Sequence, residues 1–264
     1  MTHIAPAAAD QATSGPPLLY RNPVALSSER HSAWRVANGD YAFAADTPYV
    51  PLLIAEFGPG SRHYPILFAE GEVVTPTALL GLDASNLFVA DGRWPDGVHI
   101  PAYLRRYPFG SAEIDEQGRF ALMIDADSDR IIRDGTDGAP LFEGSAPSLV
   151  TKRAFAFCEA FRADAAATRD FCIALADAGL LIDRQADVTL PDGARRAIKG
   201  FKVVDLQAFL ALDNQRIVDW HRRGWLAAVQ FHLASLDQFA ALLDRYSDAE
   251  AYTGPTSQSV GTAA

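Results

Sequence analysis

The sequence contains few cysteines. Two are present among 264 residues, Cys158 and Cys172, and both fall in one segment with helical periodicity. Cys172 follows Cys158 by 14 positions, which corresponds to about 21 Å along a helix, whereas a disulfide needs Cα atoms within about 7 Å. We therefore interpret both thiols as small core residues that do not pair.

Long apolar runs are also missing. No stretch reaches the ~18 residues that a membrane-spanning helix needs, and the N-terminal segment lacks the basic start of a secretory signal. We expect a cytoplasmic protein that does not span a membrane; non-classical export to the cell surface, which leaves no readable signal, stays open. The net charge of −10 predicts solubility and argues against a nucleic-acid partner, because the basic pairs are too short to follow a phosphate backbone.

Motifs for metals, nucleotides and covalent catalysis are absent as well. The histidines form no HxH or HExxH pair, and there is no phosphate-binding glycine motif or GxSxG elbow. Asp125, Asp127 and Asp129 have the spacing of an EF-hand loop, but Arg130 and Thr136 stand where that loop needs Gly and Glu. We predict no metal site and no cofactor, and leave open whether the loop 125–129 binds a cation.

Short apolar runs between Pro, Gly, Asp and Asn residues predict strands. These runs are 50–57, 64–69, 77–82, 86–90 and 119–124. The segment 101–109 predicts a short helix or turn, because Pro101 can open a helix and Pro108 disturbs it. The polar segment 125–140 predicts a surface loop.

A long helix is predicted over 148–178, with Ser148 as its N-cap and Gly179 just after its end. Its apolar positions at helical spacing are Phe155, Cys158, Phe161, Ala165, Cys172 and Leu175. The stretch 187–204 predicts a hairpin that turns at Asp192 and Gly193. A last helical region, 205–246, is expected to bury six apolar residues. They are Ile217, Val218, Trp225, Leu226, Val229 and Leu233.

Together these elements predict an α+β fold. An N-terminal antiparallel, strand-rich meander would pack against a long helix, a C-terminal hairpin and C-terminal helices. We find no repeat and no linker, so we predict a single domain over 18–246. The ends, 1–17 and 247–264, are rich in Ala, Pro, Ser, Gly and Thr, which predicts disordered tails.

Aromatic and basic residues concentrate in the segments 62–64 and 93–107. Arginine can bind carboxylates or phosphates and stack on rings, and Tyr and Trp provide rigid contact area. We predict a binding surface from this set, with one of its two adjacent arginines pointing outward. Its residues are His63, Tyr64, Trp94, Arg105, Arg106 and Tyr107. The alternative is a group of core aromatics whose arginines pair with surface acids.

The same segments carry a family resemblance. The runs HYPILFA, TALLGL, NLFV and DGRWPDGVHIPAYLRRYPF, and later FCEAFRADAAATRDFC and VTLPDGARRAIKGFKVVD, resemble the bacterial SapC-like family of surface-layer-associated proteins. The resemblance covers roughly 19–246. It implies an accessory or binding protein linked to surface-layer or outer-membrane uptake biology, and it supplies no catalytic residues.

Three functions therefore remain open. The first is a non-enzymatic accessory protein that binds a protein, a peptide or a small molecule. The second is an enzyme of unrecognised class that modifies a peptide or small molecule, with a site assembled from His63, His99, Tyr107 and an acid, either Asp83 or Glu56. The third is a self-assembling surface-layer component. The sequence does not indicate the oligomeric state.

Overall fold

The computed structural model describes residues 2–3, 17–115, 117–189 and 195–253. The strands within these residues, in chain order, are β1 (Thr2–His3), β2 (Pro23–Ala25), β3 (Arg35–Val36), β4 (Tyr49–Pro51), β5 (Ile66–Ala69), β6 (Thr75–Leu79), β7 (Phe109–Glu113), β8 (Phe120–Asp125), β9 (Ile131–Ile132), β10 (Ala139–Pro140), β11 (Phe142–Glu143), β12 (Ala146–Pro147), β13 (Leu181–Thr189) and β14 (Arg195–Val204).

Helices account for much of the remaining described chain. They are α1 (Ser28–His31), α2 (Phe57–Gly60), α3 (Ala102–Arg105), α4 (Leu149–Asp177), α5 (Leu206–Leu210), α6 (Asn214–Arg222), α7 (Trp225–Ser235) and α8 (Gln238–Thr253), with 3₁₀ turns at Ala42–Ala44 and Ile54–Glu56. The mixture of helices and antiparallel sheets confirms the predicted α+β class.

The main sheet has the strand order β1-β14-β5-β6-β4, and β13 pairs with β14. Only the pair of β1 and β14 is parallel. Antiparallel pairing of β4, β5 and β6 agrees with the prediction. Their order is not that of a consecutive meander, however, because β6 lies between β5 and β4.

Smaller sheets form beside the main one. The second sheet has the order β2-β8-β7, a third has the order β10-β3-β9, and β11 pairs with β12. The polar segment 125–140 is therefore not only a surface loop, because it supplies β9 and β10 to the third sheet.

Helix α4 confirms the long predicted helix. The Ser148 side chain accepts a hydrogen bond from the backbone N–H of Thr151 at the N-terminus, and Gly179 follows the C-terminus with a left-handed φ of 65°. A residue at φ > 0 favours glycine, so the helix ends where the sequence predicted.

The same helix contributes to both apolar clusters of the protein. Ala154 and Cys158 belong to a smaller cluster that covers the second sheet. Phe161, Phe171 and Leu175 belong to the large cluster on the main sheet. Cys158 and Cys172 are buried and unbridged, as predicted. Phe155, another of the apolar positions at helical spacing, is instead 41% exposed and stacks on Phe120.

Two predicted strands are wrong in part or in full. The run 50–57 is a strand only in β4, because the Glu56 side chain accepts a hydrogen bond from the N–H of Leu53 and closes a 3₁₀ turn. The run 86–90 forms no strand. The Asn86 amide donates to the carbonyl of Ala44, and its oxygen accepts from the N–H of Phe88, so the chain turns there.

The C-terminal part combines a confirmed hairpin with a broken helical region. The hairpin of β13 and β14 begins earlier than predicted, at Leu181, and its turn at Asp192 and Gly193 lies outside the described residues. Gly224, with a φ of 74°, separates α6 from α7. Ile217 and Val218 on α6 are 37% and 50% exposed, not buried as predicted.

The ends of the chain are described only in part. Thr2–His3 pairs with β14, and α8 extends to Thr253; residue 1 and the ranges 4–16 and 254–264 lie outside the described residues. The division into one domain and two tails stays a prediction. Among the described helices none is by itself long and apolar enough for a membrane span, although the bent pair Trp225–Ser235 and Gln238–Ala249 would be by length and composition.

Candidate functional site

A shallow cleft of about 530 Å³ opens between α2 and the segment 97–105. Its volume lies in the range of ~300–1,000 Å³ that small-molecule sites occupy. We call it the basic cleft, and its lining residues are Pro59, Arg62, His63, Gly97, Val98, His99, Ile100 and Arg105. No aspartate or glutamate is among these lining residues.

The first wall is the tight turn that follows α2. The N–H of Ser61 bonds the carbonyl of Phe57, and the N–H of His63 bonds that of Gly60, each at 2.9 Å. A Cβ atom at Gly60 would lie only 3.0 Å from the ring of Tyr64. The turn therefore packs Tyr64 against Gly60 inside the protein and leaves Arg62 and His63 at the cleft.

The second wall is the loop 97–101 with helix α3. Gly97 adopts a left-handed φ of 75°, and Pro101 precedes the first residue of α3. Leu104 packs into the core. Arg105 points outward, which confirms the expectation for one of the two adjacent arginines, and its Nε donates to the carbonyl of Ile100 at 3.0 Å.

The side chain of Glu56 connects the two walls of the cleft. Its Oε1 accepts hydrogen bonds from the Nε2 of His99 at 2.8 Å and from the N–H of Ala102 at 2.7 Å. Its Oε2 accepts from the N–H of Leu53 at 3.2 Å. The Nη2 of Arg105 lies 3.7 Å from Oε1, close enough for an ion pair. Because Glu56 directly precedes α2, this buried carboxylate ties the chain that leads into the first wall to the second wall.

The surroundings of His63 disfavour the protonated form of its imidazole. Burial lowers the pKa of His63 most, and His99, Arg62 and Arg245 lower it further. Arg245 lies on α8, where its guanidinium stacks on Phe88 at 4.6 Å. The cleft is therefore a basic surface on a protein whose net charge is −10.

Tyr64 lies fully buried next to this surface. Burial raises the pKa of its hydroxyl well above the ordinary value, Glu56 acts in the same direction, and Arg105 opposes them. Among the described residues, none forms a hydrogen bond with this hydroxyl. Tyr64 is thus a neutral phenol held close to the charges of Glu56 and Arg105.

A family model described as SapC matches residues 26–242, most of the chain. The protein belongs to the SapC family. This finding confirms the resemblance seen in the sequence. No curated protein and no solved structure matches the chain. Both walls of the basic cleft and Glu56 lie inside the part that the SapC model matches, whereas Arg245 lies just beyond it.

The SapC-family structure brings together only part of the predicted binding surface. His63 and Arg105 line the basic cleft, with Tyr64 buried beside them. Trp94 is buried and stacks on Phe88 at a centroid distance of 5.5 Å. Whether Tyr64 and Trp94 contribute to binding stays a prediction.

Arg106 and Tyr107 lie in the protein interior. The Arg106 guanidinium is packed at 4.3 Å from the ring centroids of both Tyr103 and Phe161, and the residue is 3% exposed. Tyr107 stacks on Phe43 at 4.1 Å. These contacts give both side chains a packing role, and their predicted role in binding stays untested.

The residues of the enzyme hypothesis also separate into two groups. His63 and His99 share the basic cleft, and Glu56 bonds His99. Tyr107 instead donates to Asp125 at 2.9 Å, and Asp83 accepts from the backbone and hydroxyl of Ser85. The structure therefore selects Glu56 as the acid beside the histidines.

Two basic residues were absent from the predicted binding set. Arg62 lines the cleft, and the enrichment that drew attention to His63 also includes it. Arg245 carried no such signal, because it lies far along the chain and reaches His63 only through the packing of α8.

The aspartates of the acidic loop have protein partners. Asp125 is fully buried and accepts from the N–H groups of Arg21 and Asn22. Asp127 pairs with Arg133 and Asp129 with Arg21, each at 3.1 Å. Within the described ranges, no group of three or more His, Cys, Asp or Glu side chains is placed to hold a metal ion.

Proposed function

We propose that this SapC-family protein is a non-enzymatic accessory protein that binds a small molecule or a peptide segment in the basic cleft. Membership in the SapC family supports a role in bacterial cell-surface biology, either in the surface layer or in outer-membrane uptake. The observation that carries the proposal is a preformed cleft whose two walls are tied together by the buried Glu56 carboxylate.

The lining combines the features of a small-ligand site. Pro59, Val98 and Ile100 offer apolar contact, while Arg62 and Arg105 offer charged donors. Binding sites of this kind pair an apolar lining with a few fixed polar groups that orient the ligand. Because Glu56 holds both walls, little conformational entropy has to be lost when a ligand binds.

Ligand capture tests this proposal. Tagged protein is incubated with bacterial cell extract and recovered, and the molecules released on denaturation are identified by mass spectrometry. Val98→Trp places a bulky side chain in the cleft, and Pro59→Trp does so at its exposed rim. We expect both variants to lose molecules that the wild type retains, whatever the charge of those molecules.

Ile114→Trp is the matched control, because Ile114 is 59% exposed and does not line the cleft. Circular dichroism identifies any variant that fails to fold. The proposal is refuted if folded blocking variants retain the same molecules as the wild type and the control, or if the wild type retains none.

A second candidate function is an enzyme of unrecognised class, favoured by the contact of 2.8 Å between Glu56 and His99. A carboxylate that orients an imidazole is a common arrangement for proton transfer. If this function is correct, captured molecules are converted on prolonged incubation and His99→Asn stops the conversion while capture persists. Recovery of every captured molecule unchanged would exclude it for those ligands.

A further inference from the structure

The arginines of the basic cleft have N–H donors that are not used in hydrogen bonds within the described part of the protein. The guanidinium of Arg105 has five N–H donors, and of these the Nε is bonded to Ile100. Its Nη2 lies 3.7 Å from Glu56, beyond the reach of a good hydrogen bond. Arg62 is exposed at the opposite wall and forms no ion pair with any residue in the described part of the chain.

Glu56 offsets only part of this positive charge, because one carboxylate serves both Arg105 and His99. Its two oxygens already accept three hydrogen bonds, from His99, Ala102 and Leu53. Within the described ranges, the residues that line the cleft include no carboxylate. Surface arginines on an acidic protein would ordinarily find acidic neighbours, so the basic lining requires a separate explanation.

Arg245 adds a third cation next to the cleft. Its charge, together with those of Arg62 and His99, acts on His63, and its guanidinium is held in place by stacking on Phe88. Arg62 and Arg105 thus line the cleft together with His63, and Arg245 acts on the His63 imidazole from α8. An anion between Arg62 and Arg105 would offset these positive charges and accept hydrogen bonds from both arginines.

We propose that the basic cleft binds an organic oxyanion, a carboxylate or a phosphate monoester that carries an apolar substituent. The oxyanion contacts Arg62 and Arg105, and the substituent lies on Pro59, Val98 and Ile100. Arginine donors match the geometry of both anions, and the cleft volume of about 530 Å³ accommodates an aromatic ring beside them. This inference rests on the proposed binding function.

Binding of defined probes tests the inference by isothermal titration calorimetry at low ionic strength. Benzoate and phenyl phosphate represent the two anions, benzamide is the neutral analogue of benzoate, and inorganic phosphate lacks the apolar part. We expect benzoate or phenyl phosphate to bind about tenfold or more tightly than benzamide, because hydrogen bonds to charged groups are the stronger ones. The tighter of the two anions assigns the ligand chemistry.

Charge-removing variants locate the anion. Arg62→Gln and Arg105→Gln should each weaken anion binding about tenfold. Arg184→Gln should leave it unchanged, because Arg184 is exposed on β13 and does not line the cleft. In NMR titrations of the imidazoles, the bound anion should raise the pKa of His63, since it offsets the charges of Arg62, His99 and Arg245.

Several results would overturn the inference. They are affinity for benzoate and for phenyl phosphate that in neither case exceeds the affinity for benzamide, and anion binding that persists when both arginines are replaced. Where phenyl phosphate is the tighter anion, equal affinity for inorganic phosphate would also overturn it. If capture from extract still depends on Val98 while no anionic probe binds, the oxyanion inference fails and the proposed binding function stands. If neither capture nor probe binding depends on the cleft, the proposed binding function and the oxyanion inference both fail.

Discussion

His232 makes the stability of this protein depend on pH. The residue is fully buried in the main apolar cluster, and both of its ring nitrogens are used. Nδ1 donates to the carbonyl of Ile66 at 2.8 Å, and Nε2 accepts from the N–H of Val204 at 3.0 Å. This pattern requires the neutral ring, and burial lowers the pKa of His232 to about 4.

The size of the effect follows from the difference between the folded and unfolded states. An unfolded histidine takes up its proton near pH ~6.5, so above that pH neither state is protonated and His232 contributes no pH dependence. Between pH ~6.5 and pH 4 the unfolded state binds more protons than the folded state. The free energy of unfolding therefore falls by about 1.4 kcal/mol for each pH unit. The loss reaches about 3 kcal/mol by pH 4.

Urea unfolding of the wild type and His232→Gln at several pH values measures this loss. At pH 7 the variant should be less stable by about 1–3 kcal/mol, because a buried backbone group of Ile66 or Val204 loses its partner. That gap should narrow by about 2 kcal/mol between pH 7 and pH 5, since only the wild type retains the buried imidazole.

His221→Gln provides the control, because His221 is exposed on α6. The free energy of unfolding of His221→Gln should change with pH by the same amount as that of the wild type over the same range. The difference in free energy of unfolding between the wild type and His232→Gln could instead stay constant from pH 7 to pH 5. That result would show that burial does not lower the pKa of His232.

Three further predictions concern other buried groups. Asp125→Ala should lower the free energy of unfolding in urea by about 3 kcal/mol, because the Tyr107 hydroxyl and two backbone N–H groups lose their acceptor; a loss below about 1 kcal/mol would contradict this. Ser148→Ala should cost about 1 kcal/mol in the same assay, and no change would mean that the cap is dispensable. Cys158 and Cys172 should not react with Ellman's reagent until guanidinium is added, since both are buried and burial also raises the pKa of Cys172 to about 12; rapid labelling of the folded protein would disprove it.

Helix α4 could be predicted because all its signals are local. An N-cap serine, apolar residues at helical spacing and a following glycine lie within one stretch of the chain, and each acts on its neighbours. The pairing of β13 with β14 was predictable for the same reason, since a two-residue turn signal separates two segments of strand character.

Side-chain bonds to the backbone explain the elements that were predicted wrongly. The run 50–57 has the composition of a strand, but Glu56 accepts from the N–H of Leu53 and the backbone turns. In the run 86–90, the Asn86 side chain likewise bonds the backbone, and the chain turns instead of forming a strand. Apolar composition does not reveal such competition, because it depends on where a single polar side chain finds its partner.

The candidate site shows the same division between local and distant signals. Local enrichment in aromatic and basic residues drew attention to His63 and Arg105, which do share the cleft. Arg106 is covered in part by Phe161 of the distant helix α4. Arg245, which acts on the pKa of His63, lies on helix α8. Neither contact has a counterpart in the nearby sequence, so neither could be predicted.

The reach of α4 has a consequence for how the protein unfolds. Its 29 residues span about 43 Å, with one end in the cluster on the second sheet and the other in the cluster on the main sheet. Loss of either cluster would leave half of the helix without apolar cover, and a helix rarely survives in water on propensity alone. The two clusters should therefore melt together, in a single cooperative calorimetric transition.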